Sequence, residues 1–380
     1  MTSFDLSGID TPALVVDEVR MRANIRRLAD RLAPFDVVLR PHLKTAKSVD
    51  VARQLLAGGN GPATVSTLRE AEYFAAAGVR DILYAVGIAP GKLGRVKALR
   101  DGGCDLAIVL DSAEQARAVV EAAAQWHDTF PTLIEIDCDG HRSGLGPDDP
   151  RLVEVGRILH DGGVELRGVM THAGESYGAV GDEALAAFAE QERAAVVNAA
   201  GMLRDAGLPC PVVSVGSSPT AHFARNLDGV TEVRAGVYVF FDLVMHNIGV
   251  CRMDEIALSV LTTVIGHQHD KGWIIVDAGW MALSRDRGTA SQRVDQGYGV
   301  VCDEAGSPLP GLRVASANQE HGIVEVRPGS GASLPELPVG TRLRILPNHA
   351  CATAAQFDGY HVLSADRPGE LLCWERVRGW

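Results

Sequence analysis

Along the first part of the chain, short solid apolar runs alternate with longer stretches in which apolar side chains recur every three or four positions. The runs are Thr11-Pro12-Ala13-Leu14-Val15-Val16-Asp17 and residues 37–40, 63–66, 82–86, 105–110, 132–137, 166–171 and 212–215. Solid apolar runs of this length, bounded by turn residues, read as buried strands. The stretches between them lie at 18–33, 48–57, 68–77, 92–101, 112–125, 150–161 and 182–206. In the first, Val19, Ile25, Leu28 and Leu32 approach helical spacing. Several end at a glycine (Gly58, Gly78, Gly102, Gly207), the usual helix stop. Strand–helix alternation predicts a parallel sheet with helical crossovers. Eight strands in about 230 residues suit a closed, TIM-like (β/α)8 barrel. A doubly wound open sheet is the alternative, but no G-x-G-x-x-G follows the first strand, so a dinucleotide site is unsupported.

The pattern changes near residue 250. Helical runs vanish, and strand-like pieces at Ala257–Ile265, Trp273–Val276, Gly322–Val326, Arg342–Leu346 and Tyr360–Leu363 are separated by Gly and Pro turns. The expected organisation is an α/β barrel over 11–248 and a C-terminal β domain over 249–380, which residues 1–10 are candidates to join. A chain of 380 residues exceeds one ordinary core, in line with two domains.

Composition narrows the function. With 22% charged and 46% hydrophobic residues the chain reads as soluble and globular. A net charge of −12 argues against nucleic acid or an anionic membrane as partner. Met1-Thr2-Ser3-Phe4-Asp5 lacks the basic and apolar regions of a signal peptide, and no apolar run approaches the ~18 residues of a membrane span. Seven scattered cysteines without C-x-x-C suit reduced thiols in a cytoplasm.

The candidate chemistry gathers at strand ends. Val37-Val38-Leu39-Arg40-Pro41 stops as a strand at the proline, and Lys44 and Lys47 follow. In a parallel barrel that end is the rim where reactions are run. Lys44 is there a candidate Schiff-base lysine for pyridoxal 5'-phosphate (PLP), and on this stretch alone a solvated surface lysine is the alternative. Other strands run into Asp137-Cys138-Asp139-Gly140-His141-Arg142-Ser143-Gly144, Thr171-His172-Ala173-Gly174-Glu175-Ser176-Tyr177 and Gly216-Ser217-Ser218-Pro219-Thr220. Arg234-Ala235-Gly236-Val237 comes next. Small residues and backbone N–H groups suit a phosphate. Arg142 suits an anionic ring oxygen, and His172 can lie flat under an aromatic ring. In the C-terminal part, His349 and Cys351 stand two apart in a turn after strand 342–346, where they can grip one metal ion. Two ligands are few for a structural zinc site and leave positions open for water or substrate. A thiolate favours zinc over magnesium.

Six motifs in order carry a family resemblance: Arg-Pro-His-Leu-Lys-Thr, Asp-Gly-His-Arg-Ser-Gly, Thr-His-Ala-Gly, Gly-Ser-Ser-Pro-Thr, Val-Arg-Ala-Gly-Val-Tyr-Val-Phe and Pro-Asn-His-Ala-Cys-Ala-Thr. From Thr11 to Trp380 the chain resembles the fold-type III, alanine racemase-like PLP enzymes. Among them it is similar to the metal-dependent D-serine dehydratase and D-threonine aldolase group. The resemblance implies that Lys44 bonds the cofactor, Arg142 faces its phenolic oxygen and His172 stacks under its ring. It implies that Tyr177, Ser218 or Thr220, Gly236 and Val237 hold the cofactor, most of them at its phosphate. Arg234 falls where alanine racemase sets an arginine on the pyridine nitrogen. His349 and Cys351 match the metal pair for zinc, manganese or magnesium, and a homodimer is implied.

The activity that follows is dehydration of a 3-hydroxy-D-amino acid to a 2-oxo acid and ammonia. Substrates are 3-hydroxyaspartate, giving oxaloacetate, or D-serine, giving pyruvate. Lys44 is the natural base for the α-proton. Arg142 or Arg285 could meet an extra substrate carboxylate. The nearest rival is D-threonine-type aldol cleavage to glycine and an aldehyde. In the resemblance aldolases carry His-x-Asp at the metal and dehydratases His-x-Cys, and this chain has His-x-Cys. A racemase would need a second base and no metal. A non-catalytic PLP carrier would lack the C-terminal domain.

Overall fold

The computed structural model describes residues 4–56 and 59–380. The expected helix stop at Gly58 and the first three residues lie outside them. The chain divides into two compact units. One comprises residues 27–236 with 377–380, and the other residues up to Arg26 with 237–376.

In chain order the elements begin with β1 (Ala13–Asp17) and α1 (Glu18–Leu32). The barrel unit then runs β2 (Val38–Leu39), α2 (Val49–Leu55), β3 (Ala63–Val65), α3 (Leu68–Ala76), β4 (Asp81–Gly87), α4 (Leu93–Asp101), β5 (Asp105–Leu110) and α5 (Ala113–Trp126). It continues with β6 (Thr132–Ile136), α6 (Arg151–Asp161), β7 (Leu166–Thr171), α7 (Asp182–Asp205), β8 (Val212–Val215), α8 (Ser218–Phe223) and β9 (Glu232–Val233). The helices start where sequence chemistry puts them: Thr67 and Ser112 each accept a backbone N–H from the first turn of the helix that follows.

Strands β2 to β9 form one parallel sheet in the order β2-β9-β8-β7-β6-β5-β4-β3. The chain beyond β2 pairs with β3 through Leu43 N–H to Thr64 O at 2.8 Å and Thr64 N–H to Pro41 O at 2.9 Å. That last pairing closes the sheet into the expected eight-stranded barrel. Strands β3 and β5 to β9 are buried nearly throughout, as parallel strands covered on both faces are, and Leu83, Ala107, Val109, Leu133 and Met170 form one core cluster.

Two expectations change. The run at 11–17 is not a barrel strand: β1 pairs antiparallel with Leu258–Leu261 and parallel with His361–Leu363. A solid apolar strand reads alike in either sheet, so its run of residues could not choose. The eighth barrel strand is instead β9, two residues long and too short to show a period. The expected limits 11–248 and 249–380 shift accordingly, to a boundary at 236/237 with the N-terminal segment in the second unit.

That second unit holds α9 (Leu243–Asn247), β10 (Leu258–Gln268), β11 (Trp273–Val276), α10 (Trp280–Leu283), β12 (Gly299–Cys302), β13 (Pro308–Ala317), β14 (Gly322–Val326), β15 (Arg342–Pro347), α11 (Ala350–Ala354), β16 (Gly359–Leu363) and β17 (Leu371–Glu375). Strand β10 pairs with both β15 and β11, so β10-β11-β14-β13-β12-β15 closes into a six-stranded ring. Strands β1, β16 and β17 extend it. Leu6 and Ile9 join Val15, Leu261 and Leu363 in its core, which ties the N-terminal segment to this unit. Helical turns do not vanish here: α10 and α11 are short, and Cys351 lies inside α11. Among the described residues no helix is long and apolar enough to cross a membrane, and the seven cysteines are free thiols.

Candidate active site and metal pair

Lys44 lies in the turn after the β2 extension, where His42 N–H donates to Ala235 O at 2.7 Å and Lys47 N–H to Leu43 O at 2.8 Å. The two lysines have different fates. Lys47 Nζ is ion-paired at 3.0 Å with Glu70, which is fully buried. Lys44 is half-buried among the histidines and arginines of the rim. Its charge reaches both His42 and His172.

His172 follows β7. Its Nδ1–H donates to the carbonyl of Gly216 at 2.5 Å, which fixes the tautomer and leaves Nε2 without a proton. Burial, then the charges of Lys44 and Arg142, pull its pKa down to about 3. His42 is held well below its usual range by burial, Lys44 and Arg234. Both imidazoles are neutral at ordinary pH, and a neutral flat ring is what can lie against a conjugated cofactor. The Tyr177 ring centroid is 6.1 Å from that of His172.

Arg142 is exposed, its guanidinium 3.9 Å from Glu135. Arg234 is 3% exposed and is tied down on two sides, to the Ser214 hydroxyl and the Thr171 carbonyl. The Ser214 hydroxyl in turn donates to Glu232 at 2.6 Å, and Glu232 pairs with Arg40. Its charge is thus embedded in the barrel wall, which narrows the expectation that it meets the pyridine nitrogen.

Ser218 and Thr220 lie buried in the first turn of α8, whose cap Ser217 accepts from Thr220 N–H at 3.1 Å. The Thr220 hydroxyl donates to Glu192 at 2.6 Å, so of the two candidates for a phosphate, Thr220 is already engaged. Gly216 and Gly236 mark close backbone approach. A Cβ on Gly216 would fall 1.9 Å from the Arg234 carbonyl oxygen, and one on Gly236 would fall 3.1 Å from the His42 Cβ and 3.2 Å from the Thr45 hydroxyl. Val237 begins a buried single turn, Val237–Val239. A cradle of small residues beside a half-buried lysine, neutral histidines and Arg142 fits PLP.

In the β unit, His349 caps α11 and Cys351 sits in its first turn. Asn348 fixes this turn from the strand side: its side-chain oxygen accepts from the Thr289 N–H at 3.0 Å and its amide donates to Gly297 O at 2.5 Å. Buried Asp242 accepts the Ala350 N–H at 2.9 Å. His349 Nδ1 donates to Asp286 at 2.6 Å. That bond leaves Nε2 as the nitrogen for Cys351, and a carboxylate on the other ring nitrogen is how metal-binding histidines are usually held. Burial works against charge on His349. The negative sulfur of Cys351 and the bonds to Asp286 and Cys351 overcome it and push the imidazole up to about 11. The imidazole thus keeps a proton beside the sulfur, and a divalent ion bound to both atoms would displace that proton. Among the described residues no group of three or more His, Cys, Asp or Glu is arranged for a metal. The donor set is therefore the nitrogen and sulfur of the pair, which fits a borderline-soft divalent ion with open positions. By contrast, burial pushes the thiols of Cys104, Cys138, Cys210 and Cys302 up, to about 11 or 12, and leaves them inert.

Asp286, Asp242 and Glu192 escaped the sequence reading. Arg285, considered there as a carboxylate partner, stacks over the Trp280 ring at 4.2 Å.

Comparison with known proteins agrees with this geometry. Residues 16–244 match the model of the alanine racemase N-terminal domain, and residues 257–363 that of a putative serine dehydratase domain. D-threo-3-hydroxyaspartate dehydratase of Delftia sp. (strain HT23) is 59% identical over 378 residues, 99% of each chain. D-threonine aldolase of an Arthrobacter species is 29% identical over 94% of this chain and 90% of its own. The solved Delftia dehydratase has a TM-score of 0.96 with 58% identity, covering all of both chains. A cysteine-to-alanine variant of that enzyme has been solved in a metal-free form, with a TM-score of 0.95, 57% identity and full coverage of both chains. The resemblance carried by the six motifs is thus borne out. The chain belongs to the alanine racemase N-terminal domain family, among the members that carry a serine dehydratase domain behind the barrel.

Proposed function

We propose that this protein is a PLP- and divalent-metal-dependent dehydratase of 3-hydroxy-D-amino acids, converting D-threo-3-hydroxyaspartate to oxaloacetate and ammonia, with D-serine to pyruvate as a second reaction. The observation that carries this reading is the 59% identity to D-threo-3-hydroxyaspartate dehydratase over 99% of both chains.

When bound, PLP would spread the charge left at Cα, and a zinc, manganese or magnesium ion would act as Lewis acid toward the β-hydroxyl. The chain's own residues have these parts. Lys44 Nζ would hold the cofactor at rest, and as a free amine it would take the Cα proton. His172, neutral and held by the Gly216 carbonyl, supports one face of the ring. Arg142 donates to the ring's anionic oxygen. Ser218, Gly236, Val237 and Tyr177 hold the cofactor, with Thr220 contributing through the α8 cap. Arg234 remains a fixed positive charge in the wall. His349 Nε2 and Cys351 Sγ hold the ion, and Asp286 keeps His349 in the ligating tautomer. A cytoplasmic homodimer belongs to the same reading, and light scattering on the purified protein tests the dimer.

The second reading is D-threonine-type aldol cleavage, favoured by the 29% identity to the Arthrobacter enzyme. The His-x-Cys pair weighs against it. Product analysis decides. With PLP and each metal in turn, 3-hydroxyaspartate, D-serine and D-threonine should yield ammonia and a 2-oxo acid. Glycine as sole product would overturn dehydration, and full activity after chelation would turn the reading toward a racemase.

A further inference from the structure

Helix α7 presents a stripe of inward residues at Leu185, Ala189, Glu192, Val196, Ala199 and Leu203. Five are apolar and one is a carboxylate that is 1% exposed. A buried carboxylate is costly unless its oxygens are satisfied. Those of Glu192 are. Oε1 accepts the N–H of Ala173 at 2.9 Å and of Gly216 at 3.0 Å, and Oε2 accepts the Thr220 hydroxyl at 2.6 Å. The three donors come from the turn after β7, the turn after β8 and the start of α8. Gly216 is thereby held from both sides, its N–H by Glu192 and its carbonyl by His172.

We propose that Glu192 is a positioning residue for the cofactor's phosphate: from behind the rim it presets the 216–220 turn that receives the anion. The proposal rests on the PLP reading above. Glu192 need not touch the phosphate to act. Holding the two turns and the start of α8 in place, through two backbone N–H groups and one hydroxyl, removes part of the ordering cost from binding. The alternative is a purely structural clamp, which would serve a ligand with or without phosphate equally.

The test therefore compares PLP with pyridoxal, which lacks the phosphate. Full-length apoprotein is titrated with each, following cofactor absorbance, for the wild type, E192Q and E192A. Circular dichroism reports the fold. In E192A the preference for PLP over pyridoxal should fall about tenfold or more, with pyridoxal affinity changed less than about twofold. In E192Q the amide still accepts two N–H bonds but must donate to Thr220, and the preference should fall about threefold. If E192A does not fold, that threefold fall decides. An unchanged preference, with both affinities intact or reduced together, overturns the proposal and leaves the cofactor reading standing. A wild type that takes up neither compound overturns both.

Discussion

The barrel rim and the His349–Cys351 turn both hold reactive side chains still, by opposite routes. At the rim the bracing carboxylate grips two backbone N–H groups and one hydroxyl, and none of the side chains expected to meet the cofactor's ring. Glu192 reaches Ala173, Gly216 and Thr220, and Gly216 then passes the constraint to His172. In the β unit a carboxylate grips the functional side chain itself, Asp286 on His349 Nδ1, while Asp242 and Asn348 steady the turn around it. A cofactor as large as PLP needs a shaped surface, and a surface is set by backbone. A single ion needs one lone pair aimed correctly, and a direct hydrogen bond to the ring does that.

The comparison can be broken at its strongest points first. Lys44→Ala should lower turnover by about a thousandfold or more and remove the cofactor's imine absorbance. Retained α-proton exchange in that variant would move the base elsewhere. Cys351→Ala should strip the ion at ordinary metal concentrations and abolish elimination, while the cofactor spectrum persists. Metal analysis and absorbance on one sample check both halves, and unchanged turnover in metal-free buffer would dismiss the pair. Asp286→Asn removes only the bracing charge. Metal affinity, read by calorimetry, should weaken by about tenfold, with PLP affinity unchanged.

A separate effect, read as stability rather than as turnover or affinity, concerns the barrel alone. His222, 8% exposed, donates Nδ1–H to Ser218 O at 2.8 Å, and burial holds its pKa near 4 against 6.5. Above pH 6.5 neither folded nor unfolded imidazole is charged, so nothing is lost. As pH falls from 6.5 to about 4 only the unfolded chain takes the proton, and stability declines by up to ~3 kcal/mol. Denaturant titrations of His222→Gln should lack that share of the acid slope.

Much of this molecule was legible from residue order, and the gaps have physical causes. Seven barrel strands were readable because strands covered on both faces are solidly apolar. Strand β9, at two residues, carries no pattern. Strands β12, β13 and β17 were missed in the β unit. β13 holds Pro308, Pro310 and Gly311, which read as turn signals. Lys44, Arg142, His172 and His349 stand out in the sequence because each lies in a polar stretch just past an apolar run, and Cys351 follows two residues after His349, inside α11. Their braces do not, since each lies far along the chain: Asp286 is 63 residues from His349, and Glu192 is 19 to 28 from its donors. For Glu192 a signal did exist, a charged residue on the apolar stripe of a long helix. Such a residue is either a fault in the stripe or a group with partners waiting.

One consequence follows from strand β1. Its hydrogen-bonding partners are Leu258–Leu261 on one side and His361–Leu363 on the other, so a strand made before residues 27–236 is seated between two made after them. While the ribosome makes residues 27–236, Ala13-Leu14-Val15-Val16 has no native neighbours for its backbone groups and is an open template for foreign strands. Maturation of the nascent protein thus has a waiting period. Shortened chains ending before residue 258 should precipitate through this segment.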